Sequence, residues 1–134
     1  MATSRITYLG DLRTENIHEK SGVKIITDAP PDNQGKGEAF SPTDLLATSL
    51  GNCMLTLMGI AGRTHGININ GTNVRVTKIM AADPRRVSEI HLHFDMPKNN
   101  YTDKQKAILE NAARTCPVAY SIHPDIKQVL TFNY

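Results

Sequence analysis

A chain of 134 residues, 40% hydrophobic and 21% charged, has the size and balance of one soluble domain with a buried core. Its net charge of +2 comes without a Lys/Arg cluster on any candidate face, and Trp is absent, so neither a basic nucleic-acid footprint nor a base-stacking platform is expected. The N-terminal MATSRITYLGDL lacks the basic start and apolar run of a signal peptide. The expected location is therefore cytoplasmic, where a structural disulfide would be unusual.

Three short strands open the chain, at 3–8, 12–18 and 22–27, separated by Gly-containing turns. Residues 28–40 (DAPPDNQGKGEAF) follow as a loop without periodicity, long enough in so small a domain to be read as functional. Ser41-Pro42-Thr43-Asp44 announces a helix, with Ser41 as N-cap, Pro42 at the first helical position and Asp44 as the capping-box acid. Leu46, Leu50, Cys53, Leu57 and Ile60 recur at helical spacing, and the helix is expected to run to about His65 and stop at Gly66.

The segment Leu45–Gly62 has no charged side chain and approaches the length of a membrane span. It also carries Thr48, Ser49, Asn52, Thr56 and three glycines, which is too polar for lipid. A helix buried on nearly all sides of a small protein or dimer accounts for it better, and no membrane contact is expected.

Two longer strands are expected at about Asn68–Met80 and Arg86–Met96. In the second, Ile90, Leu92, Phe94 and Met96 alternate with Glu89, His91, His93 and Asp95, so one sheet face is buried and one is wet. Thr102 begins another helix, with Gln105 completing a capping box and Ile108, Leu109, Ala112 and Ala113 on its apolar side. Cys116-Pro117 restarts the chain into a short helical turn, and residues 127–134 close it as a strand. The order βββ-α-ββ-α-β gives an α+β class with a mostly antiparallel sheet, in a single domain spanning 1–134.

The chemistry rests on two cysteines. Cys53 lies on an apolar helical stripe, where its plain reading is a small buried hydrophobe with a thiol pKa raised by burial. For it to react, a cation must reach it. Cys116 stands where Pro117 opens a helical turn, so it either caps that turn in place of Ser or gains thiolate character from the helix end. No short-spaced Cys/His set suits zinc, and His91 and His93 read as solvated sheet residues. No Walker loop, GxGxxG, GxSxG or HExxH occurs.

Taken together, FSPTDLLATSLGNCM and CPVAYSIHPDI resemble the OsmC/Ohr family of osmotically inducible and organic hydroperoxide resistance proteins, over essentially the whole chain. The resemblance implies an intertwined homodimer, with an antiparallel sheet wrapped around two central helices. It implies a thiol-dependent peroxidase of the oxidative stress response, acting on organic hydroperoxides or hydrogen peroxide. It needs no cofactor and takes electrons from an external dithiol reductant. By position Cys53 attacks and Cys116 resolves, while an N-terminal Arg activates the attacking thiol; Arg13 is the best match and Arg5 the fallback. In the characterised peroxidases a Glu directly follows the helix-opening Pro. Here that position is Thr43, and Asp44 comes one residue later, about 180° around a helix from Cys53. Glu38 in the loop is the remaining candidate for the Glu's work. The alternative function is a non-catalytic relative that binds a small hydrophobic molecule at the dimer interface.

Overall fold

The computed structural model describes all residues, 1–134. In chain order it contains β1 (Ser4–Gly10), β2 (Arg13–His18), β3 (Lys24–Asp28), a 3-10 turn (Pro31–Asn33), α1 (Pro42–His65), β4 (Asn73–Ala81), β5 (Arg86–Asp95), α2 (Asp103–Arg114), α3 (Pro117–Ser121) and β6 (Lys127–Asn133). The class is α+β, as expected. The chain divides into two compact units, Met1–Leu46 and Ala47–Tyr134.

The first unit is an antiparallel meander, β1-β2-β3. Its first turn passes through Gly10, Asp11 and Leu12, all with positive φ. Ile6 and Tyr8 on β1 are 66% and 64% exposed, and Ile25 and Ile26 on β3 are exposed too. A sheet this small, with that much uncovered apolar surface, needs another layer against it.

The loop after β3 is pinned by its own backbone. Ala29 N–H donates to Leu12 O, Gly37 N–H to Ala29 O and Asp28 N–H to Phe40 O, each at 3.1 Å. Gly35 passes so near Ala29 that a Cβ there would lie 1.7 Å from the carbonyl oxygen, so no other residue fits. The capping box at the head of α1 forms as expected. Asp44 N–H donates to Ser41 Oγ at 3.1 Å, and Ser41 N–H donates to Asp44 Oδ2 at 2.9 Å.

In the second unit, α1 lies against the β4–β5 face. Its buried stripe is Ala47, Leu50, Gly51, Met54, Met58 and Gly62. A Cβ on Gly51 would come within 3.1 Å of Val76 and 3.4 Å of Leu92, so the glycine sets how closely helix and sheet approach. This corrects the stripe read from the sequence. Leu46 and Ile60 are 38% and 54% exposed, and Cys53 and Leu57 are only half-buried. The helix is apolar around most of its circumference, so periodicity could not fix which face meets the sheet. By length and a mean hydropathy of 1.5 it could cross a membrane, but the same is true of many core helices. It ends at Gly66, whose positive φ lets Ile67 N–H reach back to Gly62 O at 2.8 Å in a Schellman closure.

β4 begins later than the sequence pattern implied. Residues 68–72 form turns instead, with Asn70 N–H donating to Asn68 Oδ1 and Thr72 N–H to Ile69 O. On β5 the buried residues are Val87, Ile90, Leu92 and Phe94. A register shift opposite Ile79 and Met80 leaves Ser88 as an extra residue, which keeps Val87 and Ile90 on the same core face. The Thr102–Gln105 capping box of α2 is present.

Two three-stranded sheets form in place of one mostly antiparallel sheet, and β6 pairs with β5 in parallel. The chain through α2 and α3 supplies the crossover that a parallel pair requires. Phe94 and Phe132, opposite each other in that pair, stack with ring centroids 4.5 Å apart.

Two substitutions test this packing. Asp44→Ala is expected to cost about 0.5–2 kcal/mol through the lost cap, read by chemical denaturation. Gly51→Leu is expected to cost about 1–3 kcal/mol by overpacking against Val76 and Leu92. A Gly51→Leu protein as stable as the parent would show that the helix can withdraw from the sheet without loss.

Candidate active site

Cys53 and Cys116 both belong to the second unit, and both are free thiols. Cys53 stands on α1 beside the buried stripe, half-buried against the core. Cys116 is fully buried between α2 and α3. It caps α3 as the sequence implied: Pro117 is the first helical residue, and Ala119 N–H donates to Cys116 Sγ at 3.4 Å.

Of the two readings of Cys116, the cap forms and the thiolate character does not follow. Burial pushes its thiol pKa up, the Ala119 N–H only partly offsets this, and the neighbouring Cys53 thiol raises it further. α3 has five residues, so its end carries little dipole to oppose burial. The pair is therefore asymmetric, with one thiol partly open and one enclosed and held protonated.

Arg13 belongs to the first unit, where it opens β2 directly after the positive-φ turn. Its cross-strand partner is Asp28, the last residue of β3. Nε donates to Asp28 Oδ1 at 2.7 Å and Nη2 to Asp28 Oδ2 at 2.8 Å, a bidentate fork. The Asp28 side chain is fully buried, and its Oδ2 also accepts the Glu38 N–H at 3.2 Å. The Glu38 carboxylate stands 3.6 Å from Arg13 Nη2 and is largely exposed. The Arg13 fork holds the Asp28 carboxyl below its usual range against the opposing effect of burial. Arg13 is raised well above the usual arginine range, chiefly by the hydrogen bond to Asp28.

Of the other candidates, Arg5 pairs with Glu19 at an exposed sheet position. Asp44 is committed to the helix cap, and the Thr43 hydroxyl lies 3.2 Å from Ser41 Oγ. Sequence reasoning missed Asp28. Its signal was the β2–β3 hairpin, whose register sets Asp28 directly opposite Arg13. On β5, His91 pairs with Glu89 at 3.0 Å and His93 with Asp95 at 3.2 Å on the outer face.

The sequence profile of the OsmC-like protein family matches residues 35–130. No curated protein matches the chain. Among solved structures, a Psychrobacter arcticus 273-4 protein, provisionally named an osmotic stress induced and detoxification response protein, is 60% identical. That match covers 99% of this chain and 96% of the other, with a TM-score of 0.96. An organic hydroperoxide resistance protein OsmC from Legionella pneumophila shares the fold at 16% identity and a TM-score of 0.78, covering 100% of this chain and 98% of its own. A Vibrio cholerae protein provisionally named for organic hydroperoxide resistance, solved with captopril in one of its active sites, does so at 15% identity and a TM-score of 0.75, covering 99% and 92%. With the profile matched across most of its length and a close structural relative along nearly all of it, this chain belongs to the OsmC-like protein family.

Proposed function

We propose that this protein is a thiol-dependent peroxidase that reduces organic hydroperoxides through Cys53 and Cys116. The observation that carries the reading is the asymmetry of the thiol pair, with Cys53 half-open beside an enclosed Cys116 whose titration it perturbs. An accessible thiol suits attack on a peroxide, and an enclosed neighbour suits resolution once the sulfenic acid beside it can take its proton.

In the first step the Cys53 thiolate sulfur attacks the distal peroxide oxygen. The O–O bond breaks, an alcohol leaves after taking up a proton, and Cys53 becomes a sulfenic acid. Cys116 then gives its proton to the leaving hydroxyl as its sulfur attacks the Cys53 sulfur; the S–O bond breaks, water leaves, and a disulfide forms. An external dithiol restores both thiols by exchange, supplying two electrons and two protons. Arg13 is the proposed activating cation for Cys53, and its lasting charge suits that task. No cofactor takes part.

We further propose that the working form is a homodimer in the cytoplasm, independent of membranes and nucleic acid. The exposed Ile6, Tyr8, Ile25 and Ile26 of the first unit and Leu46 and Ile60 of α1 are the apolar surface that a second copy would cover. Sedimentation at micromolar concentration is expected to give a dimer; a monomer would remove this element of the proposal.

The roles of the sulfurs are tested by trapping. Cys116→Ser treated with an organic hydroperoxide is expected to carry a dimedone adduct on Cys53. Cys53→Ser at matched dose is expected to carry none on Cys116 and to lose peroxide consumption. Labelling the other way round would reverse the roles. If neither variant is labelled and the parent consumes no peroxide, binding of a small hydrophobic molecule becomes the reading to pursue.

A further inference from the structure

We propose that Asn70 is a self-modification site, at which the Gly71 backbone nitrogen closes on the Asn70 side-chain amide and water completes the conversion to aspartate or isoaspartate. The site uses neither cysteine and takes nothing from the peroxidase reading.

Asn70 is the only asparagine followed by glycine. The attacking atom is the backbone nitrogen of the next residue, and a side chain there would crowd its approach. Gly71 has none, and the space around it is open, with nothing within 4 Å of where a Cβ would stand. Both residues are exposed to water. The Asn70 side-chain amide has no hydrogen-bond partner within the chain. Other asparagine amides are tied. Asn99 donates to Asn68 O and the Tyr101 hydroxyl, Asn16 to Thr14 Oγ1 and Ile25 O, and Asn133 to Asp95 Oδ1.

The turn that carries Asn70 is anchored at its base and loose at its tip. At the base, Asn68 O accepts the Tyr101 hydroxyl at 2.6 Å and the Asn99 amide at 3.0 Å. At the tip, Asn70 N–H donates to Asn68 Oδ1 at 2.8 Å, while Ile69 O accepts the Thr72 N–H at 3.0 Å and the Thr72 hydroxyl at 2.6 Å. Turning the Asn70–Gly71 peptide to face the side chain disturbs only these tip contacts. The β4 ladder, which begins at Asn73, stays in place. Such a local opening costs far less than unfolding.

The step balances with water alone. Gly71 N gives its proton to a solvent base and bonds to Asn70 Cγ. The Cγ–Nδ2 bond breaks, and ammonia leaves with a proton from water, closing a succinimide ring. Water then opens the ring. Cleavage between Gly71 N and Cγ gives aspartate. Cleavage between Gly71 N and the Asn70 main-chain carbonyl carbon gives isoaspartate, whose main chain runs through Cγ. Nothing is oxidised or reduced. Either product brings a carboxylate to a groove of about 680 Å³ in which Arg63 is the only charged lining residue. The chain has no acid between Asp44 and Asp83, so this would be the first on that stretch, and it lowers the formal net charge of +2 by one.

The test is incubation of the folded protein at physiological temperature, from neutral to mildly alkaline pH, followed by peptide mass mapping and isoaspartyl methyltransferase labelling. Asn70 is expected to convert first among the asparagines, to give both aspartate and isoaspartate, and to convert faster as pH rises, because the nitrogen must lose its proton. Gly71→Ala is expected to slow conversion by roughly 10-fold or more, each tenfold being about 1.4 kcal/mol of barrier. Asn70→Gln, whose closure needs a larger ring, is expected to keep its amide over the same period. Conversion to aspartate alone would mean direct hydrolysis and overturns ring closure by Gly71. Conversion in the denatured chain but not in the folded protein would mean that the turn or a second copy protects Asn70, and overturns the site. A folded Gly71→Ala that converts at the parent rate overturns the role of Gly71. Should Gly71→Ala fail to fold, since it must hold a φ of +90°, the product mixture and its pH dependence decide.

Discussion

The close seating of α1 on the β4–β5 sheet is the constraint on which the thiol site depends. Gly51 lets the helix backbone approach to where Val76 and Leu92 fill the space a side chain would take. That contact selects Ala47, Leu50, Met54 and Met58 as the core face. Cys53 then falls beside the core instead of within it, half-buried next to the enclosed Cys116. Rotating the helix by one residue, about 100°, would bury Cys53 or expose it fully. The exposure of the first thiol is thus set by packing, several residues away from the sulfur itself.

Magnitudes explain why the second thiol behaves differently from its local sequence. A helix end contributes about 0.3–1 kcal/mol at an exposed site, less than one pKa unit at about 1.4 kcal/mol per unit. Full burial can move a titratable group by about 3–5 units the other way. At Cys116 burial wins, and the Ala119 N–H is a minor correction. The same competition runs in reverse at Asp28. A bidentate guanidinium outweighs burial there and keeps the carboxylate charged. One buried group remains neutral and the other ionised because only the second has a cation in contact.

Much of the fold was legible in the sequence wherever a local rule was sufficient. The Ser41–Asp44 and Thr102–Gln105 boxes, the stop at Gly66 and the alternation on β5 depend on neighbours within four residues, and each is present. What was not legible depends on distant partners. The uniformly apolar α1 has no phase of its own, so its buried face waited on the sheet. The parallel β5–β6 pair reflects how the α2–α3 crossover returns, which no strand pattern encodes. Residues 68–72 alternate enough to pass for strand but are claimed by turns and by the Tyr101 hydroxyl, which donates to Asn68 O. The family resemblance pointed to Cys53, Cys116 and Arg13. The acid beside Arg13 escaped because cross-strand register, and not proximity to the helix start, selects it.

The central claim is that Cys53 and Cys116 form one redox pair. The most direct measurement is intact mass and free-thiol count after a single equivalent of an organic hydroperoxide, with no reductant present. The account predicts that both thiols disappear together within one chain, with the loss of two hydrogens and no added oxygen, and that a dithiol restores them. Retention of both free thiols, or stable addition of oxygen to one sulfur with the other untouched, would contradict it.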